Sequence, residues 1–251
     1  MESHSQNQYF LHDAEADCKL CPKGTYNSNT GQGVLGDCII CDVGKYSNQT
    51  ADTDGCDNCP KGKYLEANPG GGDSLPSEHD AEADCKICSA GKYQNLSGKG
   101  SCTDCPIGTF NSYDASDENN HDAAADCTTC NNGKYQNQDG QTSCKDCIEG
   151  TYRSVDSTND NKPWDGNANG NNDGMNNVND CTVCDAGKYS NQTGQTLVST
   201  CQDCPAGTYL TNTGDASLHD ALSDCDICGT GKYSTKEGQN SVSSYTFFSP
   251  K

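Results

Sequence analysis

One frame, C-x2-C-x2-G-x-(Tyr/Phe), recurs ten times in 251 residues and contains all 20 cysteines. Its pairs begin at Cys18, Cys38, Cys56, Cys85, Cys102, Cys127, Cys144, Cys181, Cys201 and Cys225. They close at Cys21, Cys41, Cys59, Cys88, Cys105, Cys130, Cys147, Cys184, Cys204 and Cys228. Three residues past each second cysteine stands a glycine, from Gly24 to Gly231. Two residues further stands an aromatic: Tyr26, Tyr46, Tyr64, Tyr93, Phe110, Tyr135, Tyr152, Tyr189, Tyr209 or Tyr233. A frame that holds while the residues between it drift marks a repeat array. The units are modules 1 to 10 in chain order.

The rest of the composition explains why such a chain needs its cysteines. Apolar residues make up only 31% of it, cysteines included, and Gly, Asn, Asp, Ser and Thr dominate. A chain of this kind cannot bury a sizeable aliphatic core and without cross-links reads as disordered. Cysteine links replace the core in small secreted modules. The frame glycine is expected to supply a turn with positive φ, or to let backbone pass close to a disulfide. The aromatic is expected to lie on the sulfurs with its hydroxyl wet. A formal charge of −20 disfavours nucleic acid and anionic membranes as partners. No run approaches the roughly 20 apolar residues of a membrane span, so direct membrane insertion is not expected. The opening MESHSQNQYF lacks the apolar stretch of a signal peptide; a secreted protein with this start is expected to be a mature form or a piece.

Between pairs the spacers run 16, 14, 25, 13, 21, 13, 33, 16 and 20 residues, alternating short and long after the first two. Four spacers end alike, with HDAEADC at His12 and His79, HDAAADC at His121 and HDALSDC at His219. Asp13, Asp80, Asp122 and Asp220 are expected to N-cap a one-turn helix running into the cysteine. The four histidines are expected in cap or turn roles, because equivalent copies do not converge on one catalytic site. The fold class expected is small and disulfide-rich: an elongated tandem array of about ten cysteine-rich modules with short β-hairpins and turns and little helix. The expected organisation is a spacer segment (1–17), modules 1–2 (18–55), 3–4 (56–101), 5–6 (102–143), 7–8 (144–200, with an Asn/Asp-rich insertion at 153–180), 9–10 (201–233) and a tail (234–251).

Paired C-x2-C motifs are also zinc-ribbon ligand spacing. The acidity of the chain and the spread of the spacers favour disulfides. The array resembles the ephrin-receptor-like cysteine-rich repeat over about residues 18 to 233. More distantly it resembles the cysteine-rich repeats of tumour-necrosis-factor receptors, whose loops also begin C-x2-G-x-(Tyr/Phe). Its long Asn/Asp-rich spacers depart from the receptors, and blocks such as CDAGKYSNQTGQ are similar in style to protist and algal surface and filament proteins. The receptor resemblance implies that each second cysteine pairs with the first cysteine of the next module: Cys21–Cys38, Cys41–Cys56 and so on to Cys204–Cys225, leaving Cys18 and Cys228 over. The alternative ties whole pairs together, as in Cys18–Cys38 with Cys21–Cys41, and leaves none over; spacing alone does not choose between them. Either way the links are local, which makes a quasi-one-dimensional object.

Three sequons, at Asn48, Asn95 and Asn191, occupy one module position, seven residues past the second cysteine; the equivalent Asn137 is followed by Gln-Asp and has lost it. They are candidate N-glycosylation sites with covalently attached glycans. In the longest spacer Asp165, Asn167, Asn169 and Asp173 follow the oxygen spacing of a calcium loop, although Asn176 stands where a bidentate Glu is usual. A solvated Asn/Gly linker is the competing reading. No other cofactor is expected. The lone Trp164 reads as a local contact.

No phosphate loop or nucleophile motif is present, and a non-enzyme is expected. The reading favoured is an extracellular or cell-surface structural glycoprotein that builds a filament, coat or appendage, such as a flagellar hair, from copies joined head to tail. A receptor ectodomain or surface antigen is the alternative, and an intracellular multi-zinc protein the third.

Overall fold

The computed structural model describes residues 18–66, 75–153, 178–211 and 214–241. The backbone divides into two compact units. One comprises residues 1–86 and 96–101, the other 87–95 and 102–251.

Modules 1 to 9 each build the same local path. The second cysteine leads into a tight turn, as where the Thr25 amide donates to the Pro22 carbonyl over 3.2 Å. The frame glycine closes that turn with positive φ, +77° at Gly44, which a side-chain-bearing residue adopts only under strain. The chain then runs extended for two residues, and this strand pairs antiparallel with the two residues inside the next C-x2-C. In the first unit Thr25–Tyr26 pairs with Ile39–Ile40, in register Thr25↔Ile40 and Tyr26↔Ile39. In the second, Lys188–Tyr189 pairs with Gln202–Asp203. All sheets among the described residues have two strands.

The pairing places each second cysteine beside the first cysteine of the next module. The first unit holds Cys21–Cys38, Cys41–Cys56 and Cys59–Cys85. The second holds Cys88–Cys102, Cys105–Cys127, Cys130–Cys144, Cys147–Cys181, Cys184–Cys201 and Cys204–Cys225. Cα–Cα separations of 5.5 to 5.9 Å suit the bridge. The whole-pair alternative is not the one adopted, because the hairpin carries the two members of one pair to different bridges. Cys18 and Cys228, bridged only under the whole-pair alternative and left over by the register the receptor resemblance implies, carry free thiols here. In this register the partner of Cys18 is a second-position cysteine before it, and that of Cys228 a first-position cysteine after it.

Sulfur and single aromatics make the core. In the first unit Cys59, Leu65 and Cys85 are buried together with Tyr46 packed against them. In the second, Tyr189, Cys204, Leu210 and Cys225 form the equivalent cluster. Tyr46 of module 2 thus lies on the bridge between modules 3 and 4, and Tyr189 of module 8 on that between modules 9 and 10, contact with sulfur of the kind expected for the frame aromatic. A bridge closing about 15 residues contributes about 3 kcal/mol, chiefly by restricting the unfolded chain.

The helical turns are 3-10 and three residues long. Glu82–Asp84, Ala124–Asp126 and Leu222–Asp224 run into Cys85, Cys127 and Cys225 as expected, but their caps differ. The N-cap residues are Ala81, Ala123 and Ala221, not Asp80, Asp122 and Asp220. The third-position carboxylates do the capping. Asp84, Asp126 and Asp224 accept the N-cap amides of Ala81, Ala123 and Ala221 at 2.9, 2.8 and 2.8 Å. A turn of three residues brings that carboxylate back over the first amide, half of a capping box. His12 and Asp13 lie outside the described residues.

Candidate functional site

The feature repeated most consistently is the joint between modules, and it is built mainly from backbone. Two frame positions carry it: the glycine and the residue after the aromatic. Cys59 N–H donates to Gly44 C=O, and Gly44 N–H donates to Leu65 C=O, both over 2.8 Å. Leu65 N–H then donates to Lys99 C=O over 3.1 Å. In the second unit Cys204 N–H donates to Gly187 C=O, Gly187 N–H to Leu210 C=O, and Leu210 N–H to Gln239 C=O, at 2.8, 2.8 and 2.9 Å. The same ladder recurs with Ser47, Asn111 and Ser190 in the place of Leu65, and its first two rungs recur with Gln136.

Short-spacer loops close a second contact. Their tip amides donate to a second cysteine: Ala51 to Cys21, Gly98 to Cys59, Gly140 to Cys105, Gly194 to Cys147 and Gly238 to Cys204, all at 2.8 to 2.9 Å. The tip backbone also covers a frame glycine so closely that a methyl on Gly44 would overlap the Gly98 carbonyl. Four of the five tips are glycines; the fifth, Ala51, holds φ +57°.

Long spacers contribute the histidines. His79, His121 and His219 are 1%, 0% and 0% exposed. Each caps the C-terminal end of a 3-10 turn (Pro76–Glu78, Glu118–Asn120, Ala216–Leu218), the cap role expected of them. Each ring also reaches an earlier module. Nδ1 lies 2.8 Å from the carbonyl of Lys45, Lys92 or Lys188, so Nδ1 is the protonated, donating nitrogen. Their own carbonyls accept from Ser47, Gln94 and Ser190 at 2.9, 2.7 and 2.8 Å. His121 also places Nε2 2.9 Å from the Asp114 carbonyl. The same three lysines project outward: Lys92 pairs with Asp104, and Lys188 with Asp203 at 2.6 Å, while Lys45 stands opposite Asn58. Such exposed pairs add little to stability.

Two phenols feel this packing. Burial, then the negative charge of Glu82 at 3.5 Å, raises the pKa of Tyr46. Burial, then Asp185, raises that of Tyr152.

The histidine contacts went unread because only the ring's destination reveals them. The residue after the aromatic was missed for another reason: it varies (Ser47, Leu65, Gln94, Asn111), and the shared bonds of the joint use its backbone, while its side chain serves differently from copy to copy, Leu65 packed on Cys59–Cys85 and Asn111 Nδ2 donating to the Asn120 carbonyl. Asn48, Asn95 and Asn191 are exposed on the short loops. Asp165, Asn167, Asn169 and Asp173, with Trp164, lie outside the described residues. Among the described residues no group of three or more His, Cys, Asp or Glu is placed to hold a metal ion, and no helix is long and apolar enough to cross a membrane.

The fold and its joints define a class: a disulfide-rich tandem array of cysteine-rich modules. Residues 77–121 and 118–161 match the family model described as tyrosine-protein kinase ephrin type A/B receptor-like, and are thus similar to a non-catalytic module type. No curated protein matches the chain. Nine disulfides and modules similar to this family point to an extracellular protein.

Proposed function

We propose that the chain is an extracellular structural protein whose copies join head to tail into a filament, surface coat or appendage. The observation that carries this reading is the joint itself. It is made of backbone hydrogen bonds and one disulfide per step, with little demand on side-chain identity, so one module is a suitable neighbour for another. The proposed contact between copies uses the outermost cysteines. Cys18 is a first-position cysteine and Cys228 a second-position one, and these are the two halves of the link used at every internal step. A head-to-tail contact that does not close on itself propagates a filament. Electron microscopy of the purified protein over a range of concentrations tests this: ordered filaments support it, and monomers throughout contradict it.

A receptor ectodomain is the second reading, favoured by the ephrin-receptor-like match. A membrane-anchored form in native material, together with a lack of self-association, supports it over the first. Calcium at Asp165, Asn167, Asn169 and Asp173 is an adjunct to either reading, tested by calorimetric titration of the purified chain with calcium.

A further inference from the structure

The five short-spacer loops share one backbone path but treat two side-chain positions in opposite ways. In the loop of module 6, Asn137 Oδ1 accepts from Lys145 Nζ over 2.7 Å, and Asp139 Oδ1 accepts from the Ile107 amide over 2.9 Å. Both positions are committed to protein contacts. In the loops of modules 2, 4 and 8 the equivalent asparagines are Asn48, Asn95 and Asn191. All three are exposed, and among the described residues their side chains make no hydrogen bond. Two residues on stand Thr50, Ser97 and Thr193, also exposed. The loop that has lost its hydroxyl residue is therefore the one that has turned its asparagine to structural use. The three that keep it leave the amide free.

The loop is also firmly held at the neighbouring residue. Tip residues Ala51, Gly98 and Gly194 stand three residues beyond the asparagines, and their amides are bonded to Cys21, Cys59 and Cys147. The asparagine is thus presented on a fixed backbone, facing solvent, with room for a bulky substituent and no contact to lose.

We infer that Asn48, Asn95 and Asn191 are acceptors of N-linked oligosaccharide and that Asn137 is not. This rests on the extracellular reading, since it needs passage through a secretory compartment. The donor class is a lipid diphosphate-linked oligosaccharide acted on by an oligosaccharyltransferase. The asparagine Nδ2 forms a bond to the anomeric carbon of the first sugar, the anomeric carbon–phosphate oxygen bond breaks, the lipid diphosphate leaves with the bonding pair, and Nδ2 gives up one proton. The carbohydrate then stands on three short loops, each anchored to a disulfide cysteine.

The test uses the full chain secreted from a eukaryotic cell, with its nine bridges verified. Peptide N-glycosidase treatment in 18O-water converts each occupied asparagine to labelled aspartate, which mass spectrometry locates. Label at Asn48, Asn95 and Asn191 and none at Asn137 is expected. Asn95→Gln removes one glycan, and Asp139→Thr, which restores the sequon and releases the Ile107 contact, adds one. Unmodified asparagine at any of the three, or label at Asn137 in the unaltered chain, overturns the inference; so does failure of Asp139→Thr to gain a glycan. Electron microscopy of the same samples reads assembly separately. Filaments with bare asparagines leave the structural reading standing, and glycosylated monomers leave only the sugar sites.

Discussion

The ring of His79 donates through Nδ1 to the backbone carbonyl of Lys45, 34 residues earlier, over 2.8 Å. A histidine at the end of a long spacer thereby fastens that spacer to a module already passed. Its burial at 1% exposure means that the lost contact cannot be replaced by water without opening the joint. His79→Ala is expected to cost about 2 to 4 kcal/mol of local stability. Hydrogen exchange reads it directly: the Ser47 amide, bonded to the His79 carbonyl, loses protection while that of Lys45 in the tight turn changes less. His79→Leu keeps bulk without a donor and should also be destabilised. If it retains full protection, the ring is only filler.

Ala51 is a natural imperfection. It is the one described non-glycine residue with positive φ, and it occupies the tip position held by Gly98, Gly140, Gly194 and Gly238 in the other short loops. A left-handed alanine costs about 1 to 2 kcal/mol, partly offset by the greater freedom glycine loses on folding. Ala51→Gly should therefore stabilise the loop by up to about 1 kcal/mol. Slower exchange of the residue 51 amide measures it. Unchanged or faster exchange counts against the conformation described.

Gly44 is the opposite case. It needs positive φ, and a methyl there would overlap the Gly98 backbone, which is itself tied to Cys59. Gly44→Ala is expected to cost about 3 kcal/mol or more. Limited proteolysis should then cut between residues 42 and 66, whereas Gly36→Ala, where nothing lies within 4 Å, should leave the pattern unchanged.

Tyr46 carries a pH dependence. Its pKa is raised in the fold, first by burial and then by Glu82, so the native state holds the phenol proton more tightly than the unfolded chain does. Its contribution is fully present below the ordinary phenol value and is lost as pH rises through the higher, folded one. Ultraviolet titration should find two late-ionising tyrosines, Tyr46 and Tyr152, and Glu82→Gln should bring one of them down. A Tyr46 that titrates with the others contradicts the packing.

Much of this fold was legible in the chain, and the rest was hidden for physical reasons. The cysteine pair, the glycine and the aromatic recur because side-chain chemistry or φ fixes them: sulfur for the bridge, Gly44 for the turn, Tyr46 for the disulfide it covers. The bridge register came through resemblance, since spacing admits two patterns. The joints were not legible, because their shared bonds are made by amides and carbonyls, while the side chain at one position changes from Leu65 in the core to Ser47 bonded to Asp52. The acidic caps were placed four residues too early. Asp80 and Asp84 are both plausible from composition, and only the length of a 3-10 turn shows that Asp84 reaches back. Three histidine rings likewise looked like turn residues until their distant carbonyl partners were in view.

The free cysteines test assembly without microscopy. A Cys18→Ser copy retains only Cys228 as a free thiol, and a Cys228→Ser copy only Cys18. With oxidised glutathione as the electron acceptor, two thiols become one disulfide and two glutathione thiols form. Mixed, the two variants should give a covalent dimer, and each alone should stay monomeric. Dimers of one variant by itself indicate a symmetric contact instead.

The central claim is that sulfur bridges in a one-step register hold each module to the next. A non-reducing peptide map of the native protein tests it most directly. The account predicts nine links from Cys21–Cys38 through Cys204–Cys225, each joining a second-position cysteine to the next first-position one. Links such as Cys18–Cys38 with Cys21–Cys41, or cysteines recovered as thiols with bound zinc, would contradict it.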